Sequence, residues 1–225
     1  FLDLKKLEIN CFADFHNVLR SQIVRSFFFL SGIKIAATDK GRAEKKALTR
    51  LENKVFKPVK TIVERHLDTL RKLGFNVSLQ NPIFPEPENL TNNVLVKIGS
   101  KSQNWIGIAP FAKYQTKVYP QDLMEEVIRL LSQNTSYKIF LFGGGAHEIS
   151  LLKQMQQNIN NVVVLAGTLT FKEELQVIQN LDVMLSMDSG NAHIAAMLGV
   201  KVVTLWGATH PYAGFLPFNQ TLENA

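Results

Sequence analysis

The sequence predicts an α/β protein built on parallel sheets, and three observations carry that expectation. Between residues 105 and 205, short continuous apolar runs alternate with amphipathic stretches of helical period. The runs lack the polar alternation of a half-exposed strand, so they read as strands buried on both faces, with helices covering each side. Glycine or small hydroxyl residues follow several runs, as at Gly143-Gly144-Gly145 and Ser189-Gly190. Right-handed crossovers would gather these loops on one edge of the sheet, where ligands of open α/β sheets bind.

In chain order, residues 10–15 form a short apolar run, 18–30 fit a helix, and 33–37 are β-branched enough for a strand. Residues 43–54 and 61–73 read as helices, the second stopping at Gly74, a residue suited to a helix C-terminus. Pro82, Pro85 and Pro87 then fall within six residues, which neither a helix nor a central strand accepts. The sequence therefore predicts a boundary here, with a first domain over 1–85 and a Rossmann-like domain over 86–225. In the second, strands are expected at 105–109, 137–142, 162–166, 183–186 and 200–205. Helices are expected at 121–132, 146–157, 171–180 and 192–198.

Composition narrows the function. The hydrophobic fraction of 46% and charged fraction of 20% are those of a globular protein. The single Cys11 allows no internal disulfide, which fits a reducing cytoplasm. The apolar stretch 26–37 is interrupted by Gly32 and Lys34 and is too short to span a bilayer. Residues 1–80 carry 16 Lys and Arg against 8 Asp and Glu, whereas residues 81–225 carry 9 against 11. A basic first half suits an anionic partner. Neither zinc-finger spacing nor an RNA-binding aromatic motif accompanies it, so nucleic acid is not expected. An acidic glycolipid headgroup or a membrane surface would attract the same charge, and residues 40–60 read equally well as a solvated helix face.

Four loops hold candidate site residues. The first, 109–120, places Lys113 and Lys117 with Thr116 between a strand and a helix, where an ammonium would neutralise a phosphate; two exposed loop lysines are the plain alternative. The second is the triple glycine, whose amides would face a ligand at a helix N-terminus. It has the spacing of neither a dinucleotide fingerprint nor a P-loop. Glu148 behind it would cap the helix or hydrogen-bond a ribose hydroxyl. In the third, Thr170 and Glu173 form a capping box, and Leu169 offers an apolar surface to a base. The fourth runs Met187-Asp188-Ser189-Gly190-Asn191-Ala192-His193 and makes an anion site from backbone amides at a helix start. The helix dipole would lower the pKa of His193 and a phosphate would raise it.

Asp188-Ser189-Gly190-Asn191-Ala192-His193-Ile194-Ala195-Ala196, followed by Trp206-Gly207-Ala208-Thr209, resembles the signature of the family 9 glycosyltransferases, which include heptosyltransferases of lipopolysaccharide synthesis. The 110–120 segment, Gly143 to Glu148, and Asp14-Phe15-His16 with Arg20-Ser21 are similar to three further segments of that family, in the same order. The resemblance implies a GT-B fold: two Rossmann-like domains with parallel sheets, the N-terminal one incomplete. It implies that Lys117 contacts the donor diphosphate and stabilises the leaving group, with Lys113 and Thr116 beside it. Glu148 would hold the ribose and Leu169 would lie near adenine. Asp188, Ser189 and Gly190 would form the phosphate loop, supported by His193, while His16 and Arg20 would line the acceptor side. The family's glycine-rich turn with its general-base aspartate would precede residue 1, and its closing helix would follow residue 225, so an interior fragment is expected.

The function so implied is inverting, metal-independent transfer of a heptose or related sugar from an ADP-sugar (ADP-heptose) to a lipopolysaccharide core, in the cytoplasm or peripherally at the inner membrane. No cofactor is expected, and no Asp-x-Asp pair or His/Cys cluster suggests a metal. Two other readings share the architecture: a GT-B nucleotide-sugar epimerase, which needs no acceptor, and a non-catalytic nucleotide-binding module.

Overall fold

In the computed structural model, which describes residues 2–225, the chain forms two compact units. One comprises the residues up to Pro82 together with Tyr212–Phe215, and the other Ile83–Pro211 with Leu216–Ala225.

The first unit opens with a single turn, α1 (Leu2–Lys5), then β1 (Cys11–Asp14), α2 (Leu19–Leu30), β2 (Lys34–Ala37), α3 (Arg42–Thr49) and α4 (Ile62–Leu73). β1 and β2 pair in parallel with Asp14 opposite Ala37. Asp14 is buried, and its carboxylate accepts from the Asn17 amide at 2.6 Å, Ser21 Oγ at 3.0 Å and Arg25 at 3.1 Å. Three donors, one of them cationic, replace the water that a buried carboxylate loses. α4 begins at Thr61, whose hydroxyl caps the Glu64 amide while Glu64 bonds back to the Thr61 amide. It ends at Gly74 with φ +100°, a left-handed conformation that a side chain would resist. The late segment 212–215 completes this unit. Val59 donates to the Tyr212 carbonyl at 2.9 Å and Ile62 to the Gly214 carbonyl at 3.0 Å, which satisfies an amide in the first turn of α4. Tyr212 packs on Phe56, and Lys45 lies 4.2 Å above the Phe215 ring.

The second unit contains α5 (Asn92–Ile98), β3 (Asn104–Ala109), α6 (Gln121–Ser132), β4 (Tyr137–Leu141), α7 (Gly145–Gln156), β5 (Val162–Val164), α8 (Phe171–Gln179), β6 (Val183–Met187), α9 (Gly190–Met197) and β7 (Val202–Leu205). All strands are parallel, in the order β5-β4-β3-β6-β7. β3 is central and buried throughout except Asn104. Its alternate residues feed two cores. Trp105 and Ala109 pack with Phe140 and with the buried residues of α5, α8 and α9. Ile106 and Ile108 pack with Ile139, Leu141 and the buried residues of α6 and α7. The chain leaves β3 toward β4 and β5, then returns to the other side of β3 to lay down β6 and β7. The C-terminal ends of β3 and β6 therefore adjoin at the point where the winding reverses, which is where such sheets bind ligands.

The parallel α/β class and its Rossmann-like sheets are as the sequence predicts. Differences are local. The helix expected over 43–54 stops at Thr49, because Arg50 turns extended and Val55 takes the Ala47 carbonyl. α1 and α5 were not expected; α5 carries only two fully buried residues, Val94 and Ile98, too few to show a period. No helix among the described residues is long and apolar enough to cross a membrane.

The Thr170–Glu173 box caps α8 as its spacing predicts, and Glu173 also accepts from Asn93 of α5 at 2.5 Å. The Asn93 amide, then the Thr170 amide and hydroxyl, hold the Glu173 carboxyl down at about 2. A carboxyl depressed on folding adds stability above its unfolded pKa and loses it as pH falls through the folded value. Urea midpoints for the wild type and Glu173→Gln should thus differ at pH 7 and converge between about pH 4.5 and 2. A gap that does not change with pH would show that the charge contributes nothing.

Candidate functional site

The C-terminal edge of the five-stranded sheet presents the loops that follow β3, β4, β6 and β7. After β3 the chain makes a single 3-10 turn, Gln115–Lys117, which presents Lys117. After β6 it continues straight into Asp188, whose amide still bonds to the Leu205 carbonyl at 3.2 Å. Because β3 and β6 are neighbours, these two loops meet. Lys117 Nζ lies 2.6 Å from Asp188 Oδ2, with the Asp188 side chain 5% exposed and the Lys117 side chain 23% exposed. Thr209 Oγ1 donates to the same oxygen at 2.7 Å from the turn after β7. An ammonium and a hydroxyl thus replace the water that this dry carboxylate loses.

The turn after β7 also fixes the Lys117 backbone. Ala208 donates to the Thr116 carbonyl at 2.9 Å. A Cβ on Gly207 would overlap that carbonyl oxygen and come within 2.9 Å of Lys117 Cα, so only glycine lets the two loops touch.

Beside this cluster α9 begins without a side-chain cap. Ser189, its N-cap, instead places its Oγ 3.2 Å from Ser186 Oγ. The first amides of α9 therefore lack side-chain acceptors and, with the helix dipole, favour an anion. α7 also lacks a cap at Gly144; Glu148 accepts from the Gly144 amide at 2.8 Å, close enough to the helix start to gain from its dipole. Between these helix starts lies a cavity of about 230 Å³, lined by Lys113, Glu148, Ser189, Gly190, Asn191 and Phe111 among others. It has apolar walls at Phe111 and Phe142 and polar groups at its helix ends, the usual composition of a small-molecule site.

Of the residues expected from sequence, Lys113, Glu148, Ser189 and Gly190 line this cavity, and Lys117 and Asp188 form the ion pair. His193 is half-buried in the second turn's approach on α9. Burial lowers its pKa, the Asp188 charge opposes that and the Lys117 charge adds to it. Thr116 is exposed and contributes its carbonyl rather than its hydroxyl. Leu169 does not line the cavity; it packs against the core face formed by α5, α8 and α9. His16 and Arg20 are exposed in the first unit, just after β1. Sequence reasoning gave no role to Thr209, Gly207 or Phe111. The Trp206-Gly207-Ala208-Thr209 motif was the available signal, but its bonding partners lie far away in the chain.

The family model described as Glycosyltransferase family 9 (heptosyltransferase) matches residues 4–222. Lipopolysaccharide heptosyltransferase 3 of Escherichia coli is 24% identical over 152 residues, covering 66% of this chain and 45% of that protein. Lipooligosaccharide heptosyltransferase 2 of Campylobacter jejuni is 28% identical over 152 residues, covering 65% of this chain and 42% of that one. The chain thus spans less than half the length of these relatives. Among solved structures, E. coli heptosyltransferase WaaC with ADP shares the fold at a TM-score of 0.64 and 18% identity, covering 95% of this chain and 65% of that one.

The loop contact at Gly207 makes a specific prediction. Gly207→Ala should lower stability by about 1–3 kcal/mol in urea unfolding, as overpacking does. Gly144→Ala should stay within about 0.5 kcal/mol, since a Cβ at Gly144 meets nothing within 4 Å. Equal losses would show that the Gly207 contact is not the constraint.

Proposed function

The chain belongs to glycosyltransferase family 9, and on that premise we propose that it carries the donor site of a heptosyltransferase. The reaction is inverting, metal-independent transfer of a heptose or related sugar from an ADP-sugar to the anionic core of a lipopolysaccharide. Residues 83–211 with 216–225 form the donor domain, and the residues up to 82 with 212–215 form part of the acceptor domain. The protein works in the cytoplasm, peripherally at the inner membrane where the acceptor lies.

One observation carries this reading: Lys117 and the open amides of α9 share the sheet edge with a cavity that Glu148 and Lys113 line. In the transfer, the acceptor oxygen attacks the anomeric carbon from the face opposite the diphosphate, and the bond from that carbon to the diphosphate oxygen breaks. The electron pair stays on the diphosphate, so negative charge grows there. The Lys117 ammonium and the amides after Ser189 balance it, each such group being worth on the order of a few kcal/mol where water is excluded. The acceptor proton leaves to a base that none of the assigned residues supplies. Glu148 receives the ribose through the carboxylate oxygen that the Gly144 amide does not use. Asp188 orients Lys117, and His193 supports the phosphate loop from α9. His16 and Arg20, within a unit rich in Lys and Arg, face the anionic acceptor.

Support for ADP comes from the solved WaaC structures, one with ADP and another with ADP-2-deoxy-2-fluoro heptose. Family membership also favours a transferase over an epimerase or an inert nucleotide-binding module. Calorimetric titration tests the reading: ADP should bind more tightly than UDP or GDP, and Lys117→Ala should weaken ADP about tenfold or more. A folded chain that ignores ADP, or a variant that binds it equally well, would overturn it.

A further inference from the structure

The Asp188 carboxylate has two donors on one oxygen, Lys117 and Thr209. Only one of these donors is also assigned to the diphosphate. When the Lys117 ammonium turns to phosphate, the Asp188 carboxylate must remain satisfied, because a buried charge stripped of its partners is strongly unfavourable. Thr209 is the group placed to do this. It is uncharged, so it holds the carboxylate without competing for phosphate, and the 2.7 Å bond needs no movement of Lys117.

The rest of the turn serves the same end. Ala208 bonds the Thr116 carbonyl, and Gly207 lies against the Thr116–Lys117 backbone. The Lys117 main chain is thereby pinned while its side chain remains 23% exposed and free to change partner. A lysine held at its root and guarded by a carboxylate pays little ordering entropy on meeting phosphate.

We propose that the Trp206–Thr209 turn is a clasp for the donor-phosphate site, with Thr209 a positioning residue that holds Asp188 so that Lys117 exchanges carboxylate for diphosphate. This rests on the donor-site reading above. Thr209 does not touch the nucleotide; it acts through Asp188 on Lys117. Without its hydroxyl, Asp188 would keep Lys117 for itself, and phosphate would have to compete with a carboxylate that has no second donor.

The test compares ADP with adenosine on the full chain, for the wild type, Thr209→Val and Thr209→Ser. Thr209→Val should weaken ADP roughly tenfold, the scale of one hydrogen bond to a charged group, and leave adenosine unchanged. Thr209→Ser should restore ADP binding. In a Lys117→Met background, Thr209→Val should have no further effect, since the two residues act on one ligand group in series. Equal loss for ADP and adenosine would mark Thr209 as merely structural and overturn the clasp. So would an unchanged ADP affinity in Thr209→Val, or an undiminished effect of that substitution without Lys117. A wild-type chain that binds adenosine but gains nothing from the phosphates would instead overturn the donor-phosphate reading, and the clasp with it.

Discussion

The C-terminal edge of the five-stranded sheet is organised around one buried carboxylate. Asp188 sits at the end of β6, where the sheet reverses its winding, and two loops reach it from either side. Lys117 arrives from the loop after β3 and Thr209 from the turn after β7. A dry carboxylate in that position has to be satisfied, and satisfying it draws together parts of the chain that share no local sequence. The uncapped start of α9 and the cavity beside it then inherit their place from the same strand end. The order of the strands supplies the meeting point, and the charge supplies the reason to meet.

Much of the fold was legible because it is written in local terms. The helix over Gln121–Ser132 ends where its apolar period ends. The capping boxes at Thr61 and Thr170 are four-residue patterns with a direct hydrogen-bonding cause. The parallel arrangement follows from strands too apolar to face water. What escaped was short or partnered at a distance. α5 is too brief to show a period, and α3 ends early because a backbone carbonyl of Ala47 finds a partner in Val55 beyond the helix.

The site divides along the same line. Lys117, Asp188 and Glu148 stood out as charged residues in post-strand loops, a placement that strand order turns into proximity. Thr209 and Gly207 did not stand out, for their work is defined entirely by what lies across the gap. Gly207 matters through the Thr116 carbonyl it avoids, and Thr209 through a carboxylate 21 residues earlier in the chain. Leu169 shows the opposite case. An apolar residue in a loop is ambiguous between ligand and core, and it packs on the core. In the first unit, the segment from Asp14 to Ser21 has a clear internal logic: Asp14 and Ser21 bond each other and fix the loop, leaving His16 and Arg20 outside.

The segment Tyr212–Phe215 belongs to the first unit although it is encoded after β7. It supplies the carbonyls that receive the Val59 and Ile62 amides and the ring beneath Lys45. On the ribosome, therefore, the earlier unit is not complete until the strands of the later one have been made. Its sheet and helices emerge first, but the Val59 and Ile62 amides wait for these carbonyls while β3 to β7 are translated. The five-stranded sheet has by then been synthesised in full, so the last piece of the earlier unit is made after the strands of the later one.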